Sequence, residues 1–368
     1  MIPYVEALAW NTGKTALETV TLVEPSECWF EVSYYGIGEC EIYAPATVFN
    51  LSALQKGRFV KMPHVGFLWV LISVEYHFSA DGARMISARG IEAKSVAAKR
   101  IIRDPLAFTS TNLQTAMNAL FSRNLGADAS AARKIGGLVY DFSAVSGKTT
   151  DAQAPRENLL DYTQALLKTY AVGIVSTLNA SGKILLSAIE GQDKSGTVIF
   201  SQSFDNLISA TFFTSDENKK TNAQVVSSFS QDDETVDYVQ YEPAESGGAS
   251  GIDRAEIIVQ ANLATKVTNA DGTETDLDPA SDEYIAMQKA AGAAALGEHQ
   301  TVTEFNGEID LEHSGYTFGV DFTVGDLVAI RDEYFGIGTR PSATARVTKY
   351  TFKQDAGGYG EQAEYGNE

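Results

Sequence analysis

Histidine, cysteine and basic residues are scarce in this sequence of 368 residues, which has 4 histidines, 2 cysteines, and 28 Lys+Arg against 48 Asp+Glu, a formal charge of −20. The shortage of basic charge argues against tight binding of nucleic acid by phosphate neutralisation, because a basic face would work against the repulsion of the whole chain. His64, His77, His299 and His313 form no His-x-x-x-His or Glu-x-x-His pair, so the pattern offers no helical metal site. No Gly-x-Ser-x-Gly elbow mounts a nucleophilic serine. Cys28 and Cys40 build no metal site alone; they either pair across adjacent strands or stand as small buried apolar residues. No apolar run approaches the roughly 18 residues of a membrane span, and the N-terminal segment has no basic stretch followed by an apolar one. Neither a spanning helix nor a signal peptide is therefore expected.

What is present describes a globular chain. Apolar residues make up 44% and charged residues 21%, which excludes disorder throughout, and the length predicts two or three domains. From Cys28 to Arg89, short β-rich runs are separated by Gly36-Ile37-Gly38, Pro63-His64 and Asp81-Gly82, the last a hairpin signal. Phe67 to Val74 (FLWVLISV) reads as a fully buried strand. A short helix is expected at about 92–101. The spacing of Leu113, Met117, Leu120 and Phe121 predicts a helix over 112–124. A second is expected over 155–170, with Pro155 in its first turn and Leu159, Tyr162, Leu166 and Tyr170 on one stripe. Between them, 143–154 reads as a polar, mobile loop. Strands at 172–178 and 183–190 flank an Asn179-to-Gly182 turn. Beyond Phe204 strands return, broken by a flexible loop at 246–251 and by a helix at 281–297, capped by Ser281 and rich in alanine and glycine. That helix is expected to pack closely on a sheet or a neighbouring subunit.

The motifs that suggest chemistry reduce to turns. Gly13-Lys14-Thr15 and Gly147-Lys148-Thr149 lack the first glycine of a phosphate loop, with Leu8 and Phe142 in its place. The Gly-x-Gly pairs Gly36/Gly38 and Gly336/Gly338 lack the third glycine of a dinucleotide fingerprint. The stretch 269–278 has Val267 where a calcium loop needs its first carboxylate, leaving a hairpin at Asp271-Gly272 or a weak exposed Ca²⁺ site. Asp232-Asp233-Glu234 and Asp332-Glu333 read as solvated acids.

Two segments carry a resemblance. Ile86-Ser-Ala-Arg-Gly-Ile-Glu-Ala-Lys-Ser-Val-Ala-Ala-Lys-Arg-Ile-Ile resembles the segment leaving the first barrel of long-tailed bacteriophage (siphovirus) tail-tip or baseplate-hub proteins. Phe318-Gly-Val-Asp-Phe-Thr-Val-Gly-Asp-Leu-Val-Ala-Ile is similar to the stretch that opens a strand of their last barrel, and Arg346-Val-Thr-Lys-Tyr to the strand that closes it. The resemblance implies a mainly β fold, two barrel domains of the tail-hub type separated by a small α+β domain. The order of elements along the chain divides it to match, into a first barrel region at 1–104, an α+β insertion at 105–203 and a second barrel region at 204–354 containing helix 281–297, and its Gly-rich, acidic composition makes 355–368 a flexible tail. The resemblance further implies a non-enzymatic virion protein, assembled in the host bacterial cytoplasm. This would be a homotrimeric ring between tail tube and tail tip that contacts a tail-tube or distal tail protein, the tape-measure protein and tip or receptor-binding proteins. Its roles would lie in host attachment and DNA ejection, with DNA only in transit. On that reading acidic walls keep the cargo from sticking over about a Debye length, roughly 8 Å. No catalytic, cofactor or metal residue is assigned. Two other readings are a carbohydrate- or cell-surface-binding β module using Trp10, Trp29 and Trp69, and a carboxylate-dependent cell-wall hydrolase.

Overall fold

Alternating apolar and polar residues build strands along most of the chain, and the computed structural model orders them as follows. It describes residues 4–62, 65–79, 82–232, 235–240, 244–261, 263, 265–269, 273–309, 315–331, 344–355 and 357–366. A hairpin of β1 (Val5–Trp10) and β2 (Leu17–Val23) comes first. Then follow β3 (Glu27–Ser33), β4 (Glu39–Pro45), helix α1 (Val48–Ala53), β5 (Phe59–Lys61), β6 (Trp69–Phe78) and β7 (Arg84–Glu92). The middle holds β8 (Leu106–Asn112), α2 (Leu113–Asn124), β9 (Leu138–Asp141), β10 (Thr149–Ala154), α3 (Leu159–Lys168), β11 (Val172–Leu178) and β12 (Ile184–Glu190). After these come β13 (Ile199–Ser201), β14 (Leu207–Ser215), β15 (Asn222–Asp232), β16 (Thr235–Gln240), β17 (Ala244–Gly247), β18 (Glu256–Ala261), β19 (Lys266–Asn269) and β20 (Glu274–Asp276). Helix α4 (Asp282–Glu298), β21 (Val302–Ile309), β22 (Leu327–Arg331), β23 (Thr344–Asp355) and β24 (Gly358–Gly366) complete the order. The chain is mainly β.

Both β-rich regions share one 13-stranded sheet, ordered β14-β21-β24-β23-β3-β4-β7-β6-β5-β1-β2, with β22 on β23 and β13 on β22. The join is the antiparallel pairing of β23 with β3, Tyr350 opposite Val32 and Phe352 opposite Phe30. Among the described residues the path stays open from β14 to β2. Its core follows the join, since Phe30, Val32 and Trp69 pack in one cluster with Val324, Val328 and Tyr350. A second cluster draws Leu8, Phe59 and Val70 together with Leu113, Met117 and Phe121 of α2 and Ile184 and Leu186 of β12. The inserted segment adds a sheet β11-β12-β9; two further sheets are ordered β10-β8-β19-β20 and β16-β15-β17, with β18 on β15.

Several elements stand where the pattern places them. Asn112 caps α2 by accepting from Thr115 N at 3.2 Å, and Leu113, Met117, Leu120 and Phe121 are buried. Ser281 caps α4, which packs on a sheet: a Cβ at Gly292 would lie 2.7 Å from Ser246 Oγ and 2.8 Å from Val225. Other expectations are corrected. The helix at 92–101 is a 3-10 helix, Ala93–Lys99. Helix α3 starts at Leu159, not Pro155, because the Asn158 side chain accepts from both Leu160 N and Asp161 N and so fixes the first turn. Its core face is Leu159, Leu160, Thr163 and Leu167. Tyr162, Leu166 and Tyr170 are partly buried against the same core and also wall an apolar groove of about 480 Å³ facing Ala290, Ala291 and Ala294.

The loop at 143–154 is a 3-10 turn (Ser143–Val145) and then β10, an ordered strand paired to β8 despite its polar composition. The run at 67–74 is buried only to Leu71. A register shift between Leu71 and Ser73 leaves Ile72 46% exposed. Ser246 and Gly247 belong to β17, not to a flexible loop. The largest correction is the tail, where most of 355–368 is β24, paired to β23 on one side and to β21 on the other.

Cys28 and Cys40 are free and buried on neighbouring strands. Burial pushes the Cys28 thiol up to about 12, helped by Glu27, and raises Cys40 as well. Both thiols are therefore expected to ignore a disulfide reagent at pH 8 in the native protein and to react at once in denaturant. From an ordinary 9.0 to about 12, the thiolate fraction falls about a thousandfold. Rapid native labelling would contradict the burial.

Candidate functional site at the junction of three regions

Tyr34 follows β3, and its ring lies at the point where the first β region, the inserted segment and the last β region meet. It is fully buried. Its Oη lies 2.8 Å from Ala171 O and 2.9 Å from Ile189 O, and accepts from Gly191 N at 3.2 Å. A phenol has one proton, so the two carbonyls share it. Burial pushes the Tyr34 hydroxyl up to about 12, which keeps it a donor.

Two glycines make room for the ring, and a third lets the chain pass beside one of them. A Cβ at Gly173 would lie 2.5 Å from Tyr34, and one at Gly325, whose φ is +95°, would lie 2.2 Å from it. Gly191 passes so close to Gly325 that a Cβ there would meet Gly325 O at 1.6 Å. Only a residue without a side chain fits that approach, and at Gly325 only one at ease with positive φ.

The Gly325-Asp326-Leu327-Val328 motif belongs to the same junction. Asp326 is buried and accepts from Gln192 N at 2.7 Å through Oδ1 and from Thr323 N at 2.9 Å through Oδ2. Leu327 N donates to Gln192 O at 2.9 Å, so the motif clasps the segment after β12 from both sides. Arg346, the first residue of the other quoted motif, donates through Nη1 to Gly325 O, and its guanidinium stands 5.8 Å from the Tyr34 ring centre.

A buried ion pair completes the junction. Lys94 Nζ lies 2.9 Å from Glu92 Oε2, and both side chains are wholly buried. Lys94 also donates to Ser33 O at 2.6 Å and to Ile174 O at 2.9 Å, so its three protons have three acceptors on three different elements. That saturation is what an ammonium needs to stay charged without water. Glu92 Oε2 accepts from Gly38 N at 2.6 Å and Ser33 N at 3.3 Å, while Oε1 has no partner among the described residues. Burial raises the Glu92 carboxyl and lowers the Lys94 ammonium, each opposed by the other's charge. The arrangement locks three stretches of chain to one another.

The residues singled out in the sequence are placed elsewhere. Gly13-Lys14-Thr15 is the β1–β2 turn, and Lys148 pairs with Glu190 at 2.9 Å. The Gly36-to-Gly38 turn is the one that meets Glu92. Trp69 is buried, donating from Nε1 to Glu31 O at 2.9 Å, and Trp10 packs edge-on against Phe59 and over Gly137; Trp29 is half-buried. Of the three, Trp69 is closed to a ligand. His299 ends α4 with Nδ1 3.2 Å from Asn218 O. His77 lies half-buried on β6. His64, His313, Gly336, Gly338, Asp332-Glu333 and the Asp271-Gly272 turn lie outside the described residues. Among the described residues no three His, Cys, Asp or Glu side chains are placed to hold a metal ion. Tyr34, Gly173, Gly191, Glu92 and Lys94 escaped notice as a site. The available signal was a Glu-Ala-Lys triplet between apolar residues, inside the segment of 86–102 that carried the resemblance.

The fold is that of phage and prophage tail proteins. A tail protein from Neisseria meningitidis MC58 matches at 9% identity with a TM-score of 0.55, covering 99% of this chain and 96% of its own. The 43 kDa tail protein of prophage MuSo2 from Shewanella oneidensis matches at 10% identity and 0.55, covering 99% and 98%. Prophage tail protein gp18 from Listeria monocytogenes EGD-e matches at 13% and 0.50, covering 99% and 94%. No curated protein matches the sequence. A family model for the siphovirus ReqiPepy6 Gp37-like protein matches residues 13–367, and the chain belongs to that family.

Proposed function

We propose that this protein is a structural, non-enzymatic tail-hub subunit. Three copies form a ring between tail tube and tail tip, with a barrel-type β region over 1–104 and another over 204–354, completed by β24, on either side of the insertion at 105–203. The ring contacts a tail-tube or distal tail protein, the tape-measure protein and tip or receptor-binding proteins, and DNA passes through it at ejection. The observation that carries the reading is the junction. A subunit that transmits load between tube and tip must not bend between its two β regions, and here both are hydrogen-bonded into one sheet and clasped around Tyr34. Family membership and the tail-protein fold over 99% of the chain support it.

Light scattering on the purified protein is expected to give three times the 39.6 kDa chain mass, and negative-stain images a ring. A monomer at micromolar concentration, with no ring in images of assembled tails, would remove this reading.

A further inference from the structure

The groove of about 480 Å³ between α3 and α4 takes no part in the junction. Tyr162 and Leu166 of α3, with Tyr170 just beyond it, form one wall, and Ala290, Ala291 and Ala294 of α4 form the other, with β10 and β18 completing the lining. The Tyr162 hydroxyl is buried and has no hydrogen-bond partner among the described residues. Two charged residues line the groove, Asp151 and Glu157, and both are acids; among the described residues no lysine, arginine or histidine lines it. Partial burial raises the Glu157 carboxyl above its ordinary value, and the negative charges of Asp161 and Glu298 raise it further. Among the described residues none of Glu157, Asp161 and Glu298 is held in an ion pair, whereas acids elsewhere are, as in Glu190 with Lys148 at 2.9 Å. An apolar lining thus adjoins a negative charge that nothing nearby balances.

We infer that this groove receives a basic amphipathic helix of a partner protein, its apolar face against Leu166 and the α4 alanines and its lysines or arginines beside Asp151 and Glu157. A groove walled by two helices suits the apolar stripe of a third. The alanines on α4 let another backbone come close, which favours a polypeptide over a small ligand. Charge selects among polypeptides, since a cation relieves the crowding of carboxylates around Glu157 where a neutral or acidic segment does not. A second copy of this chain is a poorer occupant, because its formal charge of −20 adds to that crowding. The inference stands apart from the ring, since a monomer carries the same groove.

The test uses the full chain and a fluorescein-labelled peptide of four Leu-Ala-Ala-Lys repeats in anisotropy titrations, beside a counterpart with glutamate in place of lysine. About 150 mM NaCl screens general attraction to an acidic chain. Saturable binding of the lysine peptide is expected, with the glutamate peptide at least tenfold weaker. Ala294→Trp fills the groove without changing the charge and is expected to weaken binding at least tenfold. Glu157→Gln is expected to weaken it severalfold with an unchanged melting temperature. Glu18→Gln, on β2, removes the same charge outside the groove and is expected to leave binding as it is. Should Ala294→Trp melt early, the contrast between Glu157→Gln and Glu18→Gln decides alone. No saturable binding, equal affinity for the two peptides, parental affinity in a stable Ala294→Trp, or an equal effect of Glu18→Gln and Glu157→Gln would each overturn the inference.

Discussion

Ending the chain after Asp355 is expected to abolish folding, leaving protein that is insoluble or melts without a cooperative transition. Strand β24 is interior to the sheet, with nine register pairs to β23 and six to β21, so its removal strips hydrogen-bond partners from both neighbours at once. It also removes Ala363 and Tyr365, both buried, the latter with its ring 5.9 Å from that of Phe200. A point substitution separates packing from pairing. Tyr365→Ala is expected to cost about 3–5 kcal/mol in urea unfolding, the usual range for deleting a buried aromatic ring. A truncated chain that melted like the parent would mean that the acidic end is dispensable after all.

Lys94→Met is expected to lower stability by about 3–5 kcal/mol, because it leaves the Glu92 carboxylate buried with its cation gone. Two backbone carbonyls, Ser33 O and Ile174 O, lose a charged donor at the same time. The double variant Glu92→Gln/Lys94→Met is expected to recover much of the loss, since it removes both charges and retains an amide for Gly38 N and Ser33 N to bond. The pairwise cycle, read from urea midpoints, is therefore strongly non-additive. Additive losses would show that the two side chains do not act as a pair.

Local patterning announced what local forces decide. The apolar spacing of Leu113 to Phe121, the caps Asn112 and Ser281 and the turn at Gly182 act within a few residues, and each stands where the pattern put it. What depends on distant partners was harder to read. β10 looks like loop because Thr149, Thr150 and Gln153 are polar, yet β8 supplies its ladder and tertiary packing its burial. The end of the chain looks disordered because glycine and glutamate dominate its composition. Its alternation is nevertheless that of a strand, Ala363 and Tyr365 inward and Glu364 outward beside Lys349 at 3.2 Å. Half of the junction was legible through the Gly325-Asp326 motif and the segment around Glu92. Tyr34 and the glycines at 173 and 191 were not, because a gap made where glycines far apart in sequence come together exists only after folding.

The pairing of β3 with β23 also bears on how the chain is made. Ser33 waits for Lys349, so the edge of the first strands to leave the ribosome stays unpaired while nearly all the rest is translated. At about 5–20 residues per second that is roughly 15 to 60 s of open sheet edge. Such an edge is a template for pairing with the wrong chain, and contacts this remote in sequence form slowly. Vectorial synthesis thus leaves the nascent protein exposed for longest where the mature one is most firmly joined.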